Sequence, residues 1–305
     1  IRADGAAGGG AGARTGGARR PPRRPRASVT GRWGGRGVWL RAAPLDVSDI
    51  LQEVLCERVR ATVLTSATLT VEGSFDYVRG RLGVRAGADI TVPSEFDYTS
   101  QAVLYLPRRM PPPKASGFGQ AVAQEVLEIL RRTRGRAFVL FTSYGVLREV
   151  HARLAPALPY PLLVQGEGSK TELLERFRRA GNAVLLGSAS FWEGVDVAGD
   201  ALSVVVIDKL PFAAPDDPLL KARLAAIREQ GGNPFFDEQV PQAVIALKQG
   251  VGRLIRDETD CGVVMLCDTR LVTKGYGRQF ITSLPPMRRT RALEDVQAFL
   301  REKLG

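Results

Sequence analysis

Between residues 103 and 266 the chain alternates short apolar runs with longer stretches of helical spacing, and this alternation restricts the fold more than any other feature. The runs at 103–106, 137–141, 162–164, 183–186, 203–207 and 263–266 read as strands buried on both faces. Residues 122–130, 146–154, 172–177, 219–228 and the run from Pro241 onward read as helices. Strand and helix taking turns predict an α/β fold, a mostly parallel sheet covered on both sides.

Upstream of the alternation the reading is sparser. Ile50, Leu51, Val54, Leu55 and Val59 have helical spacing, with Asp46 or Ser48 as candidate caps. The run at 61–64 reads as a buried strand leading into Thr65-Ser66-Ala67-Thr68-Leu69. A proline-rich connection at 107–113 marks a domain boundary within residues 92–116.

The 305 residues suffice for one large domain or two smaller ones, and a hydrophobic content of 44% suffices for a core. The net charge of +11 is unevenly spread. Residues 1–44 hold ten arginines and one acidic residue, whereas the other 261 carry 33 basic and 31 acidic residues, so the excess says little about the folded part. Residues 1–32 are low in complexity and poor in apolar side chains, and the stretch 1–38 is expected to be disordered, a basic arm touching DNA being one use for it.

Cys56, Cys261 and Cys267 form no CxxC pair and His151 has no histidine partner, so neither a zinc site nor a four-cysteine iron–sulfur site can be built from this chain alone. Reduced, mostly buried thiols of a cytosolic protein are expected. No apolar run approaches the roughly 18 residues of a membrane span, and the arginine-rich start lacks a secretory h-region. A cytoplasmic location without a membrane partner is therefore expected.

Ligand sites of such folds gather at the C-terminal ends of the strands, and four segments fall there or close by. In QGVGRLIR, a helix would place Gln249, Arg253 and Arg256 on one side, where two guanidinium forks suit a polyphosphate. Gly250 and Gly252 would let a ligand or another backbone approach, while an exposed basic helix end is the plainer reading. In GSASFWEGVDVAG, Ser188 and Ser190 offer hydroxyls to a phosphate backbone. There Phe191 and Trp192 either stack on a base or anchor the core. Glu193, Gly194 and Asp196 set two carboxylates around a flexible turn, suited to a ribose, a water or a metal. Thr142 and Ser143 fit a ligand site or simple helix capping. Ser66 and Thr68 supply small hydroxyls after the first strand. Lys209, Asp216 and Asp217 fit a strand end followed by a capped helix.

The order TSATL, FTSY, GSASFWEGVD, IDKLPF and QGVGRLIR resembles the carboxy-terminal half of the DinG/XPD-like helicases of superfamily 2, the bacterial DinG type most closely, over about residues 39–304. The resemblance implies a RecA-like motor fold, with residues 39–100 ending the first motor domain and 101–305 forming the second. It implies that Ser66, Ala67 and Thr68 are motif III, coupling nucleotide state to movement. Phe141 to Tyr144 would be motif IV, near DNA. Glu193, Gly194 and Asp196 would be motif V, touching DNA and nucleotide. Gln249, Gly252, Arg253 and Arg256 would be motif VI, whose arginines reach the phosphates of ATP. ATP with Mg2+, single-stranded DNA and DNA forks, 5′-to-3′ movement and a monomeric state follow as expectations.

No GxxxxGK[ST] loop and no DEAH-type box occur in the chain, and the four cysteines that hold the family's iron–sulfur cluster are absent too. All of these belong upstream, in the first motor domain. The chain therefore reads as a helicase lacking its front half, expected neither to bind ATP tightly nor to hydrolyse it alone. A non-catalytic nucleic-acid-binding module derived from a helicase is the alternative.

Overall fold

The computed structural model describes residues 27–34, 37–188, 191–192 and 201–304, in two compact units, 1–46 and 47–305. In the first unit, β1 (Ala27–Gly34) pairs antiparallel with β2 (Gly37–Pro44), in a register that sets Val29 opposite Ala42 and Trp33 opposite Val38. Residues 27–38 fall in the stretch expected to be disordered. Their β-branched and aromatic residues, Val29, Thr30, Trp33 and Val38, favour an extended ladder over the coil that the glycine and arginine content suggests.

The second unit opens with α1 (Ser48–Leu51), which runs on as a π-helical turn at Gln52–Glu57. The N-cap position is Val47, between the two expected candidates Asp46 and Ser48. There follow α2 (Asp76–Leu82), α3 (Tyr98–Gln101), β3 (Ala102–Tyr105), α4 (Phe118–Thr133), β4 (Ala137–Leu140), α5 (Tyr144–Leu154), β5 (Leu162–Val164) and α6 (Lys170–Ala180). After these come β6 (Val184–Gly187), β7 (Val204–Ile207), α7 (Pro218–Glu229), a π-helical turn at Phe235–Gln239, and α8 (Val240–Val251). The unit ends with β8 (Gly262–Leu266), α9 (Arg270–Thr273), α10 (Gly277–Ser283), β9 (Arg288–Thr290) and α11 (Leu293–Leu304).

Seven strands form one parallel sheet in the order β5-β6-β4-β7-β8-β3-β9. Its inner strands are unbroken apolar runs because both faces are covered, and successive side chains go to opposite sides. Val103, Tyr105, Val139 and Val206 meet α4, α5 and α11 through Val126, Leu147 and Phe299. Leu104, Phe138, Leu185 and Ile207 meet α6, α8 and α10 through Phe177, Val244 and Phe280. The arginines at 288 and 289 form an exposed edge strand, where charge keeps an open ladder from pairing with another chain.

Residues 61–64 are not the buried strand that was expected. They lack regular structure, with Val63 87% and Leu64 42% exposed. A strand needs a neighbour for its N–H and C=O groups, and none of the described strands pairs with this run. Residues 47–305 form one compact unit. Side-chain bonds tie residues 70–101 to the sheet domain. Gln101 Nε2 donates to the carbonyls of Asp257 and Asp260, both at 2.9 Å, and Glu72 N donates to Ser283 Oγ at 2.9 Å. Of the cysteines, Cys267 is buried while Cys56 and Cys261 are half-buried. No helix among the described residues is long and apolar enough to cross a membrane.

Candidate functional site

Helix α8 buries Val240, Ala243, Val244, Leu247 and Val251 on one stripe and ends at Val251, with Gly252 as C-cap and Gly252 N donating to Lys248 O at 2.9 Å. The chain then turns so that the adjacent Leu254 and Ile255, 2% and 4% exposed, both enter the core. An α-helix cannot bury two consecutive residues so fully without burying more of its circumference. The carboxylate of Asp260 holds the turn, accepting from Arg256 N at 2.7 Å and Asp257 N at 3.2 Å. The expected single helical face is thereby corrected: Gln249 is on the helix, whereas Arg253 and Arg256 lie in the turn beyond it.

The two guanidiniums serve different neighbours. Arg253 donates from Nη2 and Nε to Trp192 O, at 3.0 and 3.3 Å. Arg256 lines a cavity of about 510 Å3 together with Ala67, Thr68, Tyr98, Lys248 and Gly252. The structure thus brings the Ser66–Thr68 turn and the end of α8 to one space, although they lie far apart in sequence. That turn is held locally, Thr68 N donating to Ser66 Oγ at 3.2 Å. Lys248 Nζ donates to Thr70 O at 2.9 Å and Thr70 Oγ1 at 3.1 Å, and burial lowers its pKa.

Gly250 answers to packing. A methyl group there would lie 3.0 Å from Trp192 Cε3 and 3.2 Å from Ile207 Cδ1. Gly187 likewise makes room for Phe191, whose Cβ would be 2.8 Å from an added one. Phe191 and Trp192 are consequently 2% and 4% exposed, which corrects the base-stacking reading of Trp192 in favour of the core anchor. Ser188 is also turned inward. It donates from N and Oγ to Gln165 Oε1 at 2.6 and 2.9 Å, while Gln165 Nε2 donates to Tyr144 OH at 2.6 Å, so its hydroxyl is not presented to a phosphate backbone. Ser190, Glu193, Gly194 and Asp196 lie outside the described residues.

Thr142 and Ser143 follow β4 and are not part of the cavity wall. Ser143 occupies the N-cap position of α5 without a side-chain capping bond. Both are organised by Asp208, which is fully buried at the end of β7 and which the sequence reading passed over. Its Oδ1 accepts from Thr142 N at 3.0 Å and Lys209 N at 2.8 Å, and its Oδ2 accepts from Lys209 Nζ at 2.5 Å. Lys209 Nζ also reaches Ser143 Oγ at 3.5 Å. Burial raises the Asp208 pKa, opposed by the Lys209 charge and these donors. The one available signal was the position of IDK directly after an apolar strand. Asp217 is the N-cap foreseen for α7, accepting from Leu220 N at 2.7 Å.

Among the described residues, no group of three or more His, Cys, Asp or Glu side chains is placed to hold a metal ion.

A seven-stranded parallel sheet flanked by helices, with an arginine in the turn after α8 bordering a cavity, has the architecture of a RecA-like helicase domain. The chain belongs to the helicase C-terminal domain family, whose model matches residues 126–287. It is 46% identical over 265 residues to the ATP-dependent DNA helicase YoaA of Escherichia coli K12, covering 87% of this chain and 42% of that protein. It is 40% identical over 266 residues to the ATP-dependent helicase DinG of Mycobacterium tuberculosis H37Ra, covering 86% and 40%. A solved XPD structure in the apo state superposes with a TM-score of 0.63 at 21% identity over 82% of this chain and 52% of that one, a likeness of fold. The expected kinship with the carboxy-terminal part of DinG/XPD-like helicases is thereby met. The chain spans about two-fifths of the length of the curated relatives it matches.

Proposed function

We propose that the chain is the carboxy-terminal portion of an ATP-dependent DNA helicase that tracks along single-stranded DNA in DNA repair. Its part is to complete a nucleotide site whose phosphate cradle a second motor domain supplies. One observation carries this reading: Thr68 and Arg256 border the same cavity, so the turn and the arginine can respond to one ligand. A guanidinium delivered to the outermost phosphate stabilises charge that develops in the transition state, and the turn can transmit the resulting closure to the DNA-holding edge. Thr142, whose N–H is held by Asp208, and Ser143, reached by Lys209, are the groups offered to the DNA backbone beyond the C-terminal end of β4. Arg253 is bound to the Trp192 carbonyl and so links the arginine turn to the segment containing Glu193, Gly194 and Asp196. Movement is 5′ to 3′ in this reading, with ATP accompanied by Mg2+, DNA forks as substrates, and a cytoplasmic monomer as the working form.

At the full length of its relatives, the protein carrying Arg256→Ala should lose at least about 1,000-fold in DNA-stimulated ATP turnover, the lower end of what such an arginine contributes. Binding of single-stranded oligonucleotides should stay within about threefold, because Arg256 serves the nucleotide. Unchanged turnover in a steady-state phosphate-release assay would refute the assignment. A non-catalytic nucleic-acid-binding module derived from a helicase is the second reading. It requires that oligonucleotides bind while ATP neither is hydrolysed nor alters that binding.

A further inference from the structure

Lys248 stands one residue before the glutamine of QGVGRLIR and belongs to none of the residues assigned above to nucleotide or DNA. Its ammonium is half-buried, and both of its partners, Thr70 O and Thr70 Oγ1, are neutral. No carboxylate among the described residues pairs with it. A cation drawn out of water without a counter-charge is unfavourable unless an anion joins it. Lys248 borders the same cavity as Arg256, and these two are the charged side chains of its wall. An ammonium has three N–H donors, of which Thr70 takes two.

We propose that Lys248 is a further phosphate-contacting residue, donating its third N–H to an oxygen of the polyphosphate whose other oxygens meet Arg256. Because the same ammonium grips Thr70, the Ser66–Thr68 turn is tied through it to the presence of the anion. This rests on the reading of the cavity as a triphosphate site.

The test uses the 305-residue chain at low ionic strength and inorganic tripolyphosphate as the probe, with the Lys248 side-chain carbon signals and the Thr68 and Gly252 amides followed by NMR. Saturable shifts at all three positions are expected. Lys248→Met should weaken binding about tenfold or more, Lys248→Arg should stay within about threefold, and Lys274→Met, at an exposed position, should change nothing. Loss of affinity in Arg256→Met but not in Lys248→Met overturns the proposal alone. No saturable shift, or full affinity retained in both variants, overturns it together with the triphosphate reading. Should Lys248→Met fail to fold, the unaltered chain decides: a Lys248 signal that stays still while Thr68 saturates is a negative answer. An oligothymidylate that shifts Lys248 where tripolyphosphate does not would assign the contact to nucleic acid and refute the proposal.

Discussion

At the scale of single residues, buried charge does more to organise the site than the basic residues that stand out in the sequence. Asp208 fixes the end of β4 through Thr142 N and neutralises Lys209. Replacing it by Asn removes one acceptor and a negative charge, and should destabilise the chain at neutral pH by about 1–3 kcal/mol in urea denaturation. The pH dependence has a definite sign. Burial raises the Asp208 pKa above its ordinary 3.8, so the folded chain holds this proton more tightly than the unfolded one. Its contribution is then most favourable below 3.8 and falls as pH rises towards the folded value, levelling off above it. Stability of the parent minus that of Asp208→Asn should therefore decline with rising pH across that interval. A difference that rises instead would mean that Lys209 and the backbone donors outweigh burial.

At the scale of elements, α8 and the π-helical turn before it clamp the segment carrying the Ser66–Thr68 turn onto the sheet domain. At one end Lys248 holds Thr70. At the other, Glu238, 2% exposed, receives Arg223 Nη1 at 2.9 Å and Tyr77 OH at 3.2 Å, with Arg81 Nη1 at 4.0 Å. Burial and the Glu238 carboxylate together push the Tyr77 pKa well up. Removing one partner of a buried pair leaves the other uncompensated, so Glu238→Ala should cost about 3–5 kcal/mol. The exposed pair Arg58–Glu53 provides the contrast, and Glu53→Ala should change stability by less than about 1 kcal/mol. Equal losses in the two variants would remove the clamp from the account. None of this was legible beforehand, because α2 and the Glu238 contacts join stretches whose own patterns are unremarkable as helix or loop. By contrast α4, α5, α6 and α7 were legible, since each repeats apolar residues at helical spacing.

At the scale of the whole molecule, the sheet has a protected centre and two short edges. Backbone amides of β4, β7 and β8 should exchange slowest with deuterated solvent, those of β9 faster, and those of residues 59–66 fastest. Slow exchange at 61–64 would restore the strand that the apolar run suggested. Pattern alone determined the class of fold and the order of the motifs, because strand runs and helical spacing are local properties that survive any arrangement of their neighbours. Tertiary structure decided which of the motif residues are buried and which border the cavity. Trp192 is an anchor because Gly250 leaves room for its ring, and Arg253 and Arg256 part company because burying Leu254 and Ile255 forces the helix to end. Lys248 borders the cavity and is held by Thr70, 178 residues earlier in the chain. Contacts between distant stretches leave no periodic trace, and a side chain's exposure is set by them.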